Sequence, residues 1–84
     1  MMQVSAKSLA LFFRQLSVLQ GSGVLLNHAL EFLEQGESEP RLRFLIDDLL
    51  GSLLQGRYLS EAMRMHPEVF TRLQIEIVAV GETT

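Results

Sequence analysis

Cysteine and tryptophan are absent from this 84-residue chain, proline occurs twice and lysine once. Without cysteine no disulfide framework, zinc–thiolate site or thiol nucleophile can form. Positive charge is scarce and scattered: seven basic against ten acidic residues give a net charge of −3. That leaves no clustered Lys/Arg surface for the counterion release that drives nucleic-acid binding. Long hydrophobic runs are missing too. The longest charge-free stretch, residues 15–30, carries Gln15, Ser17, Gln20, Gly21, Ser22, Gly23, Asn27 and His28, whereas a membrane-spanning helix needs about 20 predominantly apolar residues. Residues 9–13 are too short for a signal-peptide core, and Arg14 interrupts them.

What is present is apolar side chains in a short chain. The apolar fraction is 48% and the mean hydropathy +0.22, which excludes a disordered or low-complexity chain. A domain of this size buries only about 60–65% of the surface its unfolded chain exposes. Its apolar excess therefore goes into the fold or against a partner.

Helical periodicity runs almost end to end. Leu9, Phe12, Phe13, Leu16 and Leu19 form one stripe opposite Lys7, Arg14 and Gln15, predicting a helix over 6–20 that Gly21-Ser22-Gly23 ends. Leu26, Ala29, Leu30 and Leu33 predict a second helix to about Gln35, with Gly36 placed to take positive φ after it. Ser38-Glu39-Pro40 reads as a helix start, with Ser38 as the capping side chain, and Leu42, Leu45, Ile46, Leu49, Leu50 and Leu53 carry that helix to about Gln55. A short fourth helix is expected over 60–65, closed by His66-Pro67. Thr71-Arg72-Leu73-Gln74 is a capping box, with Phe70 and Ile75 placed as a hydrophobic staple for a fifth. No segment has a partner with which to form a sheet. The expected fold is all-α: a small antiparallel bundle of about five helices.

Shifting the sequence by 33 residues superposes Leu9, Phe12, Phe13 and Leu16 on Leu42, Leu45, Ile46 and Leu49, and Gly23, Leu26, Ala29 and Leu30 on Gly56, Leu59, Ala62 and Met63. The unit is a helical hairpin with a glycine at its reversal. The alternative is that two amphipathic helices align by chance at some offset, since the matched residues are mostly Leu. In the repeat reading the fifth helix opens a third hairpin without its second half, and residues 1–84 form one truncated module.

Chemistry-bearing residues are few. His28 and Glu31 can share a helix face, but two ligands do not close a metal site. His66 before Pro67 reads as a turn or capping residue, and the adjacent Asp47 and Asp48 diverge by about 100° on a helix, so they cannot share a proton. Glu31, Glu34, Glu37 and Glu39 read as a solvated face and helix start, with cation binding the alternative, and the glycines form no phosphate loop. No enzyme activity, cofactor or metal site is expected. The anomaly is the fifth helix: Phe70, Leu73, Ile77 and Val80 make one stripe while Ile75, Val78 and Ala79 fall on other faces. A helix apolar on several sides needs cover on several sides, so Phe70, Leu73, Ile75, Ile77 and Val78 are the candidate interface.

Phe13-Arg14-Gln15-Leu16, Leu19, Gly23 with Leu26, Ala29-Leu30, Pro40 with Leu42, Gly56 with Leu59-Ser60-Glu61-Ala62, His66-Pro67 with Phe70, and Gly81-Glu82 together resemble the cytoplasmic module of the type II secretion F / type IV pilus PilC family. The resemblance covers the chain from about Lys7 to Thr84. It departs at Leu25, where the family often has proline, and at Thr83-Thr84 in place of the usual Ser-Gly. It implies a helical-bundle domain of a polytopic inner-membrane platform protein, on the cytoplasmic side of the bacterial inner membrane, with a further helix and a membrane span following. It also implies partners: a secretion or pilus assembly ATPase and other inner-membrane assembly proteins.

The expected function is thus a non-enzymatic scaffold that binds machinery proteins and self-associates as a homodimer or higher oligomer. Its contact with the membrane would run only through segments outside this chain. The surface of Glu31, Glu34, Glu37 and Glu39 with Arg41 and Arg43 would set orientation. Glu82 could be a carboxylate cap, an interface ion pair or, as a weaker reading, a cation ligand. The alternative suggested by the 33-residue offset is a soluble helical-repeat adaptor of the tetratricopeptide type, whose turn and aromatic signature is mostly missing.

Overall fold

Ser5 opens the first helix: its Oγ accepts a hydrogen bond from the Ser8 backbone N–H at 3.1 Å, satisfying one of the donors that a helix start leaves unpaired. The computed structural model describes residues 4–83. Over them it forms five helices: α1 (Ala6–Gly21), α2 (Leu26–Gly36), α3 (Pro40–Leu54), α4 (Leu59–Arg64) and α5 (Arg72–Glu82). Among the described residues there is no strand, and no helix is long and apolar enough to cross a membrane.

α1 and α3 end in the same way. Gly23 has φ +91, its N–H donates to the Gln20 carbonyl at 3.0 Å, and the Val24 N–H donates to the Leu19 carbonyl at 3.1 Å. Gly56 also has φ +91, its N–H donates to Leu53 at 2.9 Å, and the Arg57 N–H donates to Ser52 at 3.1 Å. Both are Schellman motifs, in which a left-handed residue lets two N–H groups cap the last carbonyls of the helix. The 33-residue repeat is therefore a repeat of hydrogen bonds as well as of leucines.

Three local expectations need correction. Glu39, not Ser38, is the N-cap of α3 and makes no side-chain cap bond; the Glu37 carboxylate instead accepts the Glu39 N–H at 3.1 Å. Gly36 has no positive φ, because the chain leaves α2 through Glu37 in an extended conformation (φ −84, ψ 126) and needs no left-handed residue there. α4 starts one residue earlier than expected, at Leu59, with the Glu61 carboxylate accepting the Tyr58 N–H at 2.8 Å. The capping box of α5 forms in full: Thr71 Oγ1 accepts from the Gln74 N–H at 3.1 Å and Gln74 Oε1 from the Thr71 N–H at 2.8 Å.

Each helix packs on its neighbours in sequence, with α2 against α3 the most extensive contact. The buried residues follow the repeat: Leu9 pairs with Leu42, Phe12 with Leu45, Leu16 with Leu49, Ala29 with Ala62, and Leu30 with Met63. One pair differs. Ile46 is fully buried while Phe13 is only half-buried, because α3 has α2 on one side and α4 on the other whereas α1 lies at the end of the series. α5 continues the register: Ile75 and Val78 stand 33 residues after Leu42 and Leu45, and Glu82 stands where the earlier copies bury Leu16 and Leu49. The radius of gyration, 11.9 Å, is about that of a fully packed domain of this length.

Candidate interaction surface

α5 divides the candidate interface. Phe70, just before it, and Ile75 in its first turns are buried at 2% and 7% exposure, so they serve this chain's own core. Leu73 and Ile77 are 70% and 61% exposed, with Val80 beside them, and Val78 is half-buried. The outward-facing part is therefore the stripe Leu73, Ile77 and Val80, with Val78 at its inner edge.

That inner edge borders an open groove between α1 and α5. Phe13, Leu16, Ser17 and Gln20 of α1 form one wall, and Ile77, Val78, Gly81 and Glu82 form the other; Leu26 and Leu59 also line it, and the volume is about 560 Å³. The Phe13 ring also meets the Phe70 ring edge-on, with centroids 5.8 Å apart. This contact ties α1 to the residue that leads into α5. A second, smaller apolar groove of about 290 Å³ runs between α1 and α2, lined by Leu11, Arg14, Gln15, Val18, Leu19, Phe32 and Leu33. Leu11, Val18 and Phe32 are exposed there. Sequence reasoning passed over this face, although Leu11 and Val18 stand seven residues apart and off the core stripe of α1, which was a readable signal.

The polar residues are tied into the fold. Glu82 reaches 22 residues back to the start of α4, where Oε2 accepts the Ser60 N–H at 2.9 Å and Oε1 accepts the Ser60 hydroxyl at 2.6 Å. Of the roles open to Glu82, the structure displays the carboxylate cap. His66 lies between Asp48 of α3, 2.5 Å from Nε2, and Glu68, 3.7 Å from Nδ1, with its side chain only 11% exposed. Its carbonyl accepts the N–H groups of Val69 and Phe70, so it holds the α4–α5 connector by backbone and ring together. Carboxylates face both ring nitrogens, which suits a tie more than a general base.

Asp47 and Asp48 diverge as expected. While Asp48 meets His66, Asp47 faces Glu34 across the α2–α3 contact. Partial burial, a hydrogen bond with Asp47 and the Asp47 charge raise the Glu34 carboxyl above its ordinary range, with Arg43 opposing and Glu31 adding to the shift. His28 is exposed on α2. Among the described residues no group of three or more His, Asp or Glu side chains is placed to hold a metal ion. The arrangement offers apolar surfaces and internal ties.

The chain matches the family model for type II secretion system (T2SS), protein F over residues 12–84. It is 30% identical, over 95% of its length, to the type IV pilus assembly protein PilC of Pseudomonas aeruginosa. It is 35% identical over 93% of its length to the PilC of Thermus thermophilus, and 33% identical over 94% to the type II secretion system protein F of Vibrio cholerae. These matches cover 21%, 19% and 20% of the three relatives, so the chain spans about a fifth of their length.

Proposed function

Because the chain belongs to the type II secretion system protein F family, we propose that it is a non-enzymatic helical module of a platform protein in secretion or pilus assembly, working by binding other proteins. The observation that carries this reading is the apolar surface left uncovered: the α1–α5 groove and the adjoining stripe of Leu73, Ile77 and Val80. A small domain gains nothing from leaving three large apolar side chains of one helix in water, and such a patch beside a groove suits docking.

In this reading the groove receives a further helix of the longer protein, the second half of a third hairpin. In the first two hairpins each returning helix packs on the helix before it and the helix after it. A returning partner of α5 would lie against α5 and, closing the series, against Phe13 and Leu16 of α1. Leu73 and Val80 of α5 and the α1–α2 face then remain for self-association, for the assembly ATPase and for other inner-membrane assembly proteins. The module would sit on the cytoplasmic side of the inner membrane, joined to it by segments outside this chain.

The test exploits the absence of cysteine. Ile77→Cys and Leu11→Cys would be labelled with a thiol reagent in the 84-residue chain, in a chain extended to the relatives' length, and with the purified assembly ATPase added. Protection of position 77 in the longer chain, and of position 11 on adding the ATPase, is the expected result. Full labelling of both positions under every condition would sink the proposal.

A further inference from the structure

We propose that Ser60 and Glu82 form a latch that holds the later turns of α5 against the start of α4, and that opening it releases those turns while the other helices stay folded. The two ends of α5 are held by different means. Its beginning is fixed by apolar packing, with Phe70 and Ile75 in the core and the capping box in place. Beyond Ile75 no residue of the helix is fully buried: Val78 and Ala79 are half-buried, and Ile77, Val80 and Gly81 are exposed. Val78 packs against the edge of the core and Arg64 meets Glu76 at 3.8 Å on the exposed surface, and the last turn is tied to α4 by the pair of hydrogen bonds from Ser60 to Glu82.

Three features make that contact strong and local. It is charge-assisted, with one carboxylate accepting a backbone N–H and a hydroxyl. Ser60 is the one buried polar residue among the described residues, so losing Glu82 would strand its hydroxyl away from water. And α4 lacks a capping hydrogen bond from its own N-cap, Tyr58, so the carboxylate supplies an acceptor to that helix start from outside. The repeat sharpens the point. Leu16 and Leu49, at the positions equivalent to Glu82, are locked by burial, whereas the third position is closed by a polar pair. Leu59 and Glu82 both line the α1–α5 groove, so the latch also sets the spacing of that groove.

Amide hydrogen exchange on the isolated 84-residue chain tests this without any partner, so its result stands apart from the docking proposal. In Glu82→Gln, amides over residues 78–83 should exchange at least about tenfold faster, the loss expected for one charge-assisted hydrogen bond, with α1–α3 unchanged. Ser60→Ala, which keeps the backbone bond, should act in the same direction by less, and the double variant should add nothing to Glu82→Gln. Equal acceleration in all helices, or none in α5, would overturn the latch. If Glu82→Gln does not fold, Ser60→Ala decides by the same criterion.

Discussion

Gly23 and Gly56 stand 33 residues apart with the same φ of +91 and the same two carbonyl-capping hydrogen bonds. Their equivalence makes the two hairpins copies in backbone geometry as well as in side-chain pattern. A Cβ added at either glycine would meet no atom within 4 Å, so the only obstacle to a side chain there is the left-handed backbone itself.

Gly23→Ala and Gly56→Ala should therefore cost the same, about 1–2 kcal/mol each, the penalty of placing an L-residue in that region. Urea denaturation of the two variants measures it. Costs differing by more than about 1 kcal/mol would mean that something besides φ sets the price of the turn.

Glu34 gives a pH-dependent prediction. Its folded-state carboxyl is raised, so the fold favours the protonated form, and that contribution is present at low pH and lost as pH rises through the raised value. Glu34→Gln keeps a hydrogen-bonding amide beside Asp47 without the second charge. It should melt about 1–2 °C above the parent at pH 7, a small effect because the site is screened by solvent. The difference should vanish below the ordinary carboxylate range. Melting curves from pH 3.5 to 7.5 check this; a gap that widens on acidification would contradict the assignment.

Phe70 and Ile77 separate core from surface. Phe70→Ala should cost about 3–5 kcal/mol, as a buried aromatic does. Ile77→Glu should leave stability within about 0.5 kcal/mol while abolishing concentration-dependent association in sedimentation experiments. An Ile77→Glu chain that associates like the parent would remove Ile77 from the interface.

Local signals read well from the sequence and long-range ones did not. The Thr71 capping box and the reversals at Gly23 and Gly56 involve neighbours a few residues apart, and each forms as expected. Ser38 misled because side-chain type says which residues can cap, while backbone direction decides which one does; here Glu39 holds the cap position. On α5 the periodicity shows apolar residues on several faces but not which face the body covers, so it does not separate buried Phe70 and Ile75 from exposed Leu73 and Ile77. The ties from Ser60 to Glu82 and from Asp48 to His66 span 22 and 18 residues. Nothing in local spacing announces such pairs, although Glu82 at a position where the other copies carry leucine was a visible mismatch.

The gap between α1 and α5 also makes the stability of this body adjustable from outside. Any element that fills it binds the folded chain and not the unfolded one, so its free energy of binding adds to that of folding. At a local concentration one hundred times its dissociation constant, such an element contributes about 2.7 kcal/mol, comparable to fully burying one large apolar side chain. Occupancy of the groove would thus be felt by helices that never touch the occupant, and the melting temperature of the module becomes a gauge of what is bound beside Phe13 and Ile77.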